Sequence, residues 1–287
     1  MSEHGRVDAQ PSTAERSSPS GWKVGRAFGV PLYVRPSALI FFAVLALLYT
    51  PVVRTQFPGI DAFGYVVALV APALIAFSVF GHELGHLLAG RLAGIPATRI
   101  TLDVLGGETE FDRDAPTAGR EALIAASGPA ASILMSALGY AAQIWMSPEG
   151  FTSLLIAQFA LVNLLLAAFN LLPGLPLDGG WILRAGLWKA TGRSVLSVRA
   201  AAWIGRLLAA ALLTDLVVRF ARGSAFSLLV VVTVLMVAYQ IWSGASAALR
   251  DFPRTPDALP ESVPDKDAAQ NPHRVQGPGG EGPLSGW

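Results

Sequence analysis

Residues 63–93 form one long apolar run, and within it stand His82, Glu83 and His86 in an HExxH spacing. On a helix, positions i and i+4 share a face, so two imidazoles can reach one ion while Glu83 lies beside the water that such an ion activates. That is the arrangement a hydrolytic zinc site needs. The run is also long enough to cross a membrane, where a charged residue costs roughly 2.5–3.5 kcal/mol on insertion scales, so ionisable groups persist there mainly for function. The competing reading is a helix with two buried polar residues satisfied by their neighbours, and lipid depth disfavours it.

A catalytic zinc usually takes three protein ligands and keeps one position open. The chain has no cysteine and four histidines, and two of these, His4 and His273, lie in polar terminal segments. The third ligand is therefore expected to be a carboxylate. Acidic residues near the apolar runs are Asp103, Glu108, Glu110, Asp112, Asp114, Asp178 and Asp215. Asp178 stands out because Pro173, Gly174, Pro176, Gly179 and Gly180 around it end the fourth apolar run. Irregular backbone at membrane depth is tolerated where protein buries it or where it lines a water-filled cavity, and such a loop can carry Asp178 to an ion. An ordinary interfacial turn with a solvated Asp178 would look the same. Asp215 is the rival, with an i+4 pairing to Arg219 as its alternative role.

Over 287 residues, 53% are hydrophobic and 14% charged, and the mean hydropathy is +0.50. Those values belong to a membrane protein. A net charge of +1 with scattered basic residues excludes a nucleic-acid footprint. Six runs of about 20 apolar residues fall near 33–53, 63–90, 121–146, 152–172, 198–220 and 225–246. An even count puts both termini on one side, and with that side cytosolic, the outside segments hold only Arg54, Arg219 and Arg222 of the 21 basic residues. No cleavable signal core precedes the first run.

Residues 99–111 break the helical pattern, alternating Ile100, Leu102 and Val104 with Thr101 and Asp103 before Gly106-Gly107. They read as two short strands around a turn. The expected fold is an all-α polytopic membrane protein of six transmembrane helices with a small membrane-associated β-hairpin after the second. Its parts are a polar segment at 1–30, the six-span unit at 31–250 and a tail at 251–287, rich in Pro, Gly and acids and expected to be disordered.

Taken together, HELGH on the second of six spans, a Gly-Gly hairpin after it, Gly128-Pro129 in the third span, and Asn170, Pro173, Asp178 and Gly179 after the fourth resemble the site-2 protease family of intramembrane zinc metalloproteases. The likeness covers about residues 20–250. It implies one Zn2+ per chain held by His82, His86 and Asp178, with Glu83 as catalytic base, and a multi-pass protein of the bacterial plasma membrane. Implied partners are the bilayer and a membrane-anchored protein substrate such as an anti-sigma factor, a transcription-factor precursor or a signal-peptide remnant. The family's PDZ insertion and CBS pair have no counterpart in this sequence.

The residues suggest further roles. Asn170 either contacts substrate backbone or a developing oxyanion, or caps the end of its helix. The hairpin edge either adds a substrate strand or acts as a lid. Gly81, Gly85, Gly90 and Gly94 admit close helix packing. From a different class comes the alternative of a metal-binding transporter or non-catalytic scaffold, and the presence of Glu83 beside the histidines argues against it.

Overall fold

A computed structural model describes residues 21–56, 63–103, 106–223 and 228–251. The tail at 252–287, expected to be disordered, lies outside the described residues.

Helix α1 spans Pro36–Gln56, α2 Phe63–Leu92, α3 Ala118–Met146, α4 Gly150–Asn170, α5 Asp178–Thr191, α6 Ser194–Ala221 and α7 Leu228–Asp251. Among the described residues, five helical segments are long and apolar enough to cross a membrane, against the six expected: Leu69–Leu92, Ala118–Met146, Gly150–Asn170, Ser194–Ala221 and Val230–Arg250. In α1 the described apolar stretch is Pro36–Leu47, and Pro51 and Arg54 lie further along the same 21-residue helix. The seventh helix, α5, was not expected. Its Leu183, Trp181 and Ala185 pack inward while Lys189 and Thr191 close it as a short amphipathic element, too short to span.

The β structure is larger than the expected hairpin. Strands β1 (Trp22–Ala27), β2 (Val30–Val34), β3 (Ala97–Asp103) and β4 (Gly106–Phe111) form one sheet in the order β1-β2-β3-β4. Part of the segment 1–30, read from sequence as a polar tail, is thus a strand. Phe28 and Gly29, at φ of 49° and 85°, make the two-residue turn that joins β1 to β2. β2 runs parallel to β3, and β3 antiparallel to β4, in the register Leu102 to Gly107 and Thr101 to Glu108. Gly106 and Gly107 are therefore strand residues and not the turn. Ala27, Val30, Ile100 and Leu102 bury one face of the sheet against Leu87 of α2, which fixes β4 beside the histidines.

The helices fall into two groups. α2, α3 and α4 pack on one another, with Asn163 of α4 donating to the Ser78 hydroxyl of α2 at 2.8 Å inside that group. α6 and α7 pack on each other and on the connection that precedes α5, where Leu175 is enclosed by Val198, Ala201, Ala202 and Ala245. α5 joins the two groups by packing against α3 on one side and α6 on the other.

Candidate metal centre

α2 presents His82 and His86 on one face, their rings edge to face with centroids 4.9 Å apart. α3 holds both. His86 Nδ1 donates to the Ile124 carbonyl at 2.8 Å, which leaves Nε2 with its lone pair outward, and His82 Nδ1 hydrogen-bonds the Ser132 hydroxyl at 2.9 Å. Pro129 lies in the middle of this stretch and removes one helical amide donor from it. Gly128 lies directly beneath the two rings, and a Cβ there would run into both Nε2 atoms. The glycine lets a helix backbone form the floor of the site.

Asp178 reaches the same place from the opposite side. Its Oδ2 is 3.0 Å from His82 Nε2 and its Oδ1 is 3.3 Å from His86 Nε2. The irregular stretch expected to carry it ends at Leu177, and Asp178 is the first residue of α5, where a carboxylate also meets the positive end of the helix dipole. That stretch is bolted to the second helix group. The Leu175 amide donates to the Ala201 carbonyl of α6 at 3.1 Å, and side chains at Gly205 or Gly244 would collide with Leu175 or Pro176. Burial pushes the Asp178 carboxyl up, but the two imidazoles facing it outweigh that cost and hold the group below the usual carboxylate range. It stands as an anion.

These residues fit a zinc ion. Three potential ligand atoms, one from each of His82, His86 and Asp178, lie within 4.8 Å of one another. Two ligands about 2.0–2.1 Å from a tetrahedral zinc stand roughly 3.3–3.4 Å apart, close to the 3.0 and 3.3 Å seen between imidazole and carboxylate. Two imidazoles, one carboxylate and no sulfur make a donor set that zinc accepts.

Glu83 is 4% exposed, and its Oε2 accepts a hydrogen bond from Thr109 Oγ1 of β4 at 2.7 Å. Gly107 packs against its methylene and carboxylate atoms. A cavity of about 980 Å³ runs over Glu83, the two histidines and Asp178, walled by β4 on one side and by Gln240 and Ile241 of α7 on another. Asn170 lines it as well, with its side-chain amide donating to the Leu166 carbonyl of its own helix at 3.0 Å.

The rival carboxylates are engaged elsewhere. Asp103 takes Arg35 at 2.7 Å, Glu110 pairs with Arg99, and Asp215 pairs with Arg219 at 2.8 Å on an exposed surface. Glu108, Asp112 and Asp114 line the cavity without joining the ligand set. Sequence reasoning missed Thr109, Ile124 and Ser132. The one signal available was spacing, since Ser132 follows Gly128 by four residues on the same face of α3.

The sequence pattern of peptidase family M50 matches residues 70–153 and 146–215, a region that contains His82, Glu83, His86 and Asp178. A protein of Synechocystis sp. named as a zinc metalloprotease is 34% identical over 186 residues, covering 64% of this chain and 48% of that protein. Rip3 of Mycobacterium tuberculosis, likewise named as a zinc metalloprotease, is 35% identical over 208 residues, covering 70% and 52%. The chain thus spans about half the length of these relatives. Among solved structures, the site-2 protease from Methanocaldococcus jannaschii matches 82% of this chain and 98% of its own, with a TM-score of 0.57 and 25% identity.

Proposed function

The chain belongs to peptidase family M50, and on that premise we propose that it is an intramembrane zinc metalloprotease that hydrolyses peptide bonds in or near the membrane segment of anchored proteins. The observation that carries this reading is the convergence of His82 and His86 of α2 with Asp178 of α5, with Glu83 buried beside them under a cavity. His82, His86 and Asp178 are the residues that would hold the ion. When bound, zinc supplies Lewis-acid polarisation of a carbonyl and lowers the pKa of a water molecule.

The chain's own residues do the rest. Glu83 takes a proton from the attacking water as its oxygen bonds the scissile carbonyl carbon and passes that proton to the amine that leaves as the C–N bond breaks, while the Thr109 hydroxyl keeps the carboxylate aimed into the cavity. Ile124 and Ser132 fix the orientation of the imidazoles. β4 is the outer strand of its sheet and lines the cavity, so an unwound substrate adds to it as a further strand and exchanges its helical hydrogen bonds for ladder bonds. Asn170, at the cavity wall, offers its side-chain oxygen to the substrate backbone. The substrate is a membrane-anchored regulator such as an anti-sigma factor or transcription-factor precursor, or a signal-peptide remnant. The protein works in the bacterial plasma membrane with both termini cytosolic. A transporter needs ligands but no base, and the Thr109 bond to Glu83 favours the hydrolytic reading over it.

The test is cleavage of a panel of single-span substrates by the purified full chain, wild type against Glu83→Gln. Loss of the general base is expected to slow cleavage by roughly 10²–10⁴-fold. Equal cleavage by the two proteins overturns the reading.

A further inference from the structure

One wall of the cavity contains a buried ion pair that takes no part in the ligand set. Arg184 of α5 donates through Nη1 to Glu121 Oε2 of α3, and the two side chains are 8% and 9% exposed. Both residues line the cavity. On the α5 side the guanidinium is braced by its own helix, 5.3 Å from the Trp181 ring and 5.7 Å from the Trp188 ring.

On the α3 side, Glu121 is the first member of a stripe. Glu121, Ile124, Gly128 and Ser132 follow at i, i+3, i+7 and i+11, which is one face of a helix. The last three members touch the histidines: the Ile124 carbonyl takes His86, Gly128 lies under both rings, and Ser132 holds His82. The first member holds the helix that begins with Asp178. One face of α3 therefore registers all three ligands, two directly and the third through Glu121 and Arg184. Replacing a buried ion pair by apolar residues of similar volume is often neutral or stabilising, so packing alone does not call for charges here. A charge-assisted hydrogen bond does set one distance and one orientation.

We propose that Glu121 and Arg184 are positioning residues for the third metal ligand: their ion pair fixes α5 against α3 so that the Asp178 carboxylate meets the two imidazoles. The inference rests on the reading of His82, His86 and Asp178 as a metal centre.

The experiment measures zinc affinity by chelator competition, and the visible absorption of the Co2+-substituted protein, on the full chain in detergent. The main variant is Glu121→Gln with Arg184→Met, which removes both charges together and leaves neither one buried alone. Zinc binding is expected to weaken by roughly 10–100-fold, as for other outer-shell partners, with a changed Co2+ spectrum. The exposed pair variant Asp215→Asn with Arg219→Gln is the control and keeps wild-type affinity. Should the double variant fail to fold, Arg184→Lys, which keeps the charge but loses the planar fork, carries the same test with a smaller loss expected. Wild-type affinity and spectrum in the folded variant overturn the positioning role while the metal centre stands. Absence of metal binding in the wild type overturns both, and so separates failure of the site from failure of the pair.

Discussion

At the scale of single residues, the candidate site depends on space as much as on charge. Gly128 is where a helix backbone passes under two imidazoles, and a methyl group there would occupy the position of both Nε2 atoms. Gly128→Ala is therefore expected to lose zinc at stoichiometric loading while the protein remains folded, as read by metal analysis and size exclusion. Ser132→Ala keeps the ligands but frees the His82 ring, and zinc affinity is expected to fall by roughly 10-fold. His82, Glu83 and His86 were legible in sequence because their spacing is a local helical property. Asp178 was legible through the breakers around it and the shortage of other ligands. Ile124 was not legible, because it contributes a backbone carbonyl, which its side chain does not announce. Nor was Thr109, whose role depends on how the sheet is laid over α2.

At the scale of elements, the proposed third ligand depends on how the stretch 171–177 is seated on α6 and α7. Gly205 packs against the Leu175 carbonyl and Gly244 against the Pro176 ring. Gly205→Leu is expected to push that stretch away from α6 and to reduce both zinc affinity and cleavage by at least about 10-fold, since loss of a group that holds a metal ligand in place commonly costs that much. Unchanged affinity would mean that α6 does not set the position of Asp178. The sequence pattern anticipated strands at 99–111 because their alternation is local. It did not anticipate β1 and β2 beside them, since β2 reaches β3 in parallel across two helices of intervening chain. α5 was missed for a related reason: Gly179 and Gly180 read as breakers, whereas they are the points where α5 passes against the backbone of residues 171–175.

At the scale of the whole molecule, the candidate metal centre lies where α5, which joins the two helix groups, brings Asp178 onto His82 and His86 of α2. The proposed topology puts the α3–α4 and α6–α7 connections outside and the α5–α6 connection inside. The natural lack of cysteine makes this directly testable. Single cysteines in place of Ser147 and Arg222 are expected to react with an impermeant maleimide from outside intact cells, and one in place of Gly192 only after lysis. The opposite labelling pattern would invert the topology. The decisive measurement is the zinc content of purified wild type, Glu83→Gln and Asp178→Asn. About one zinc per chain is expected in the first two and a large loss in the third. Full zinc in Asp178→Asn would contradict the assignment of Asp178 as the third ligand and with it the joining of α5 to α2 through the metal.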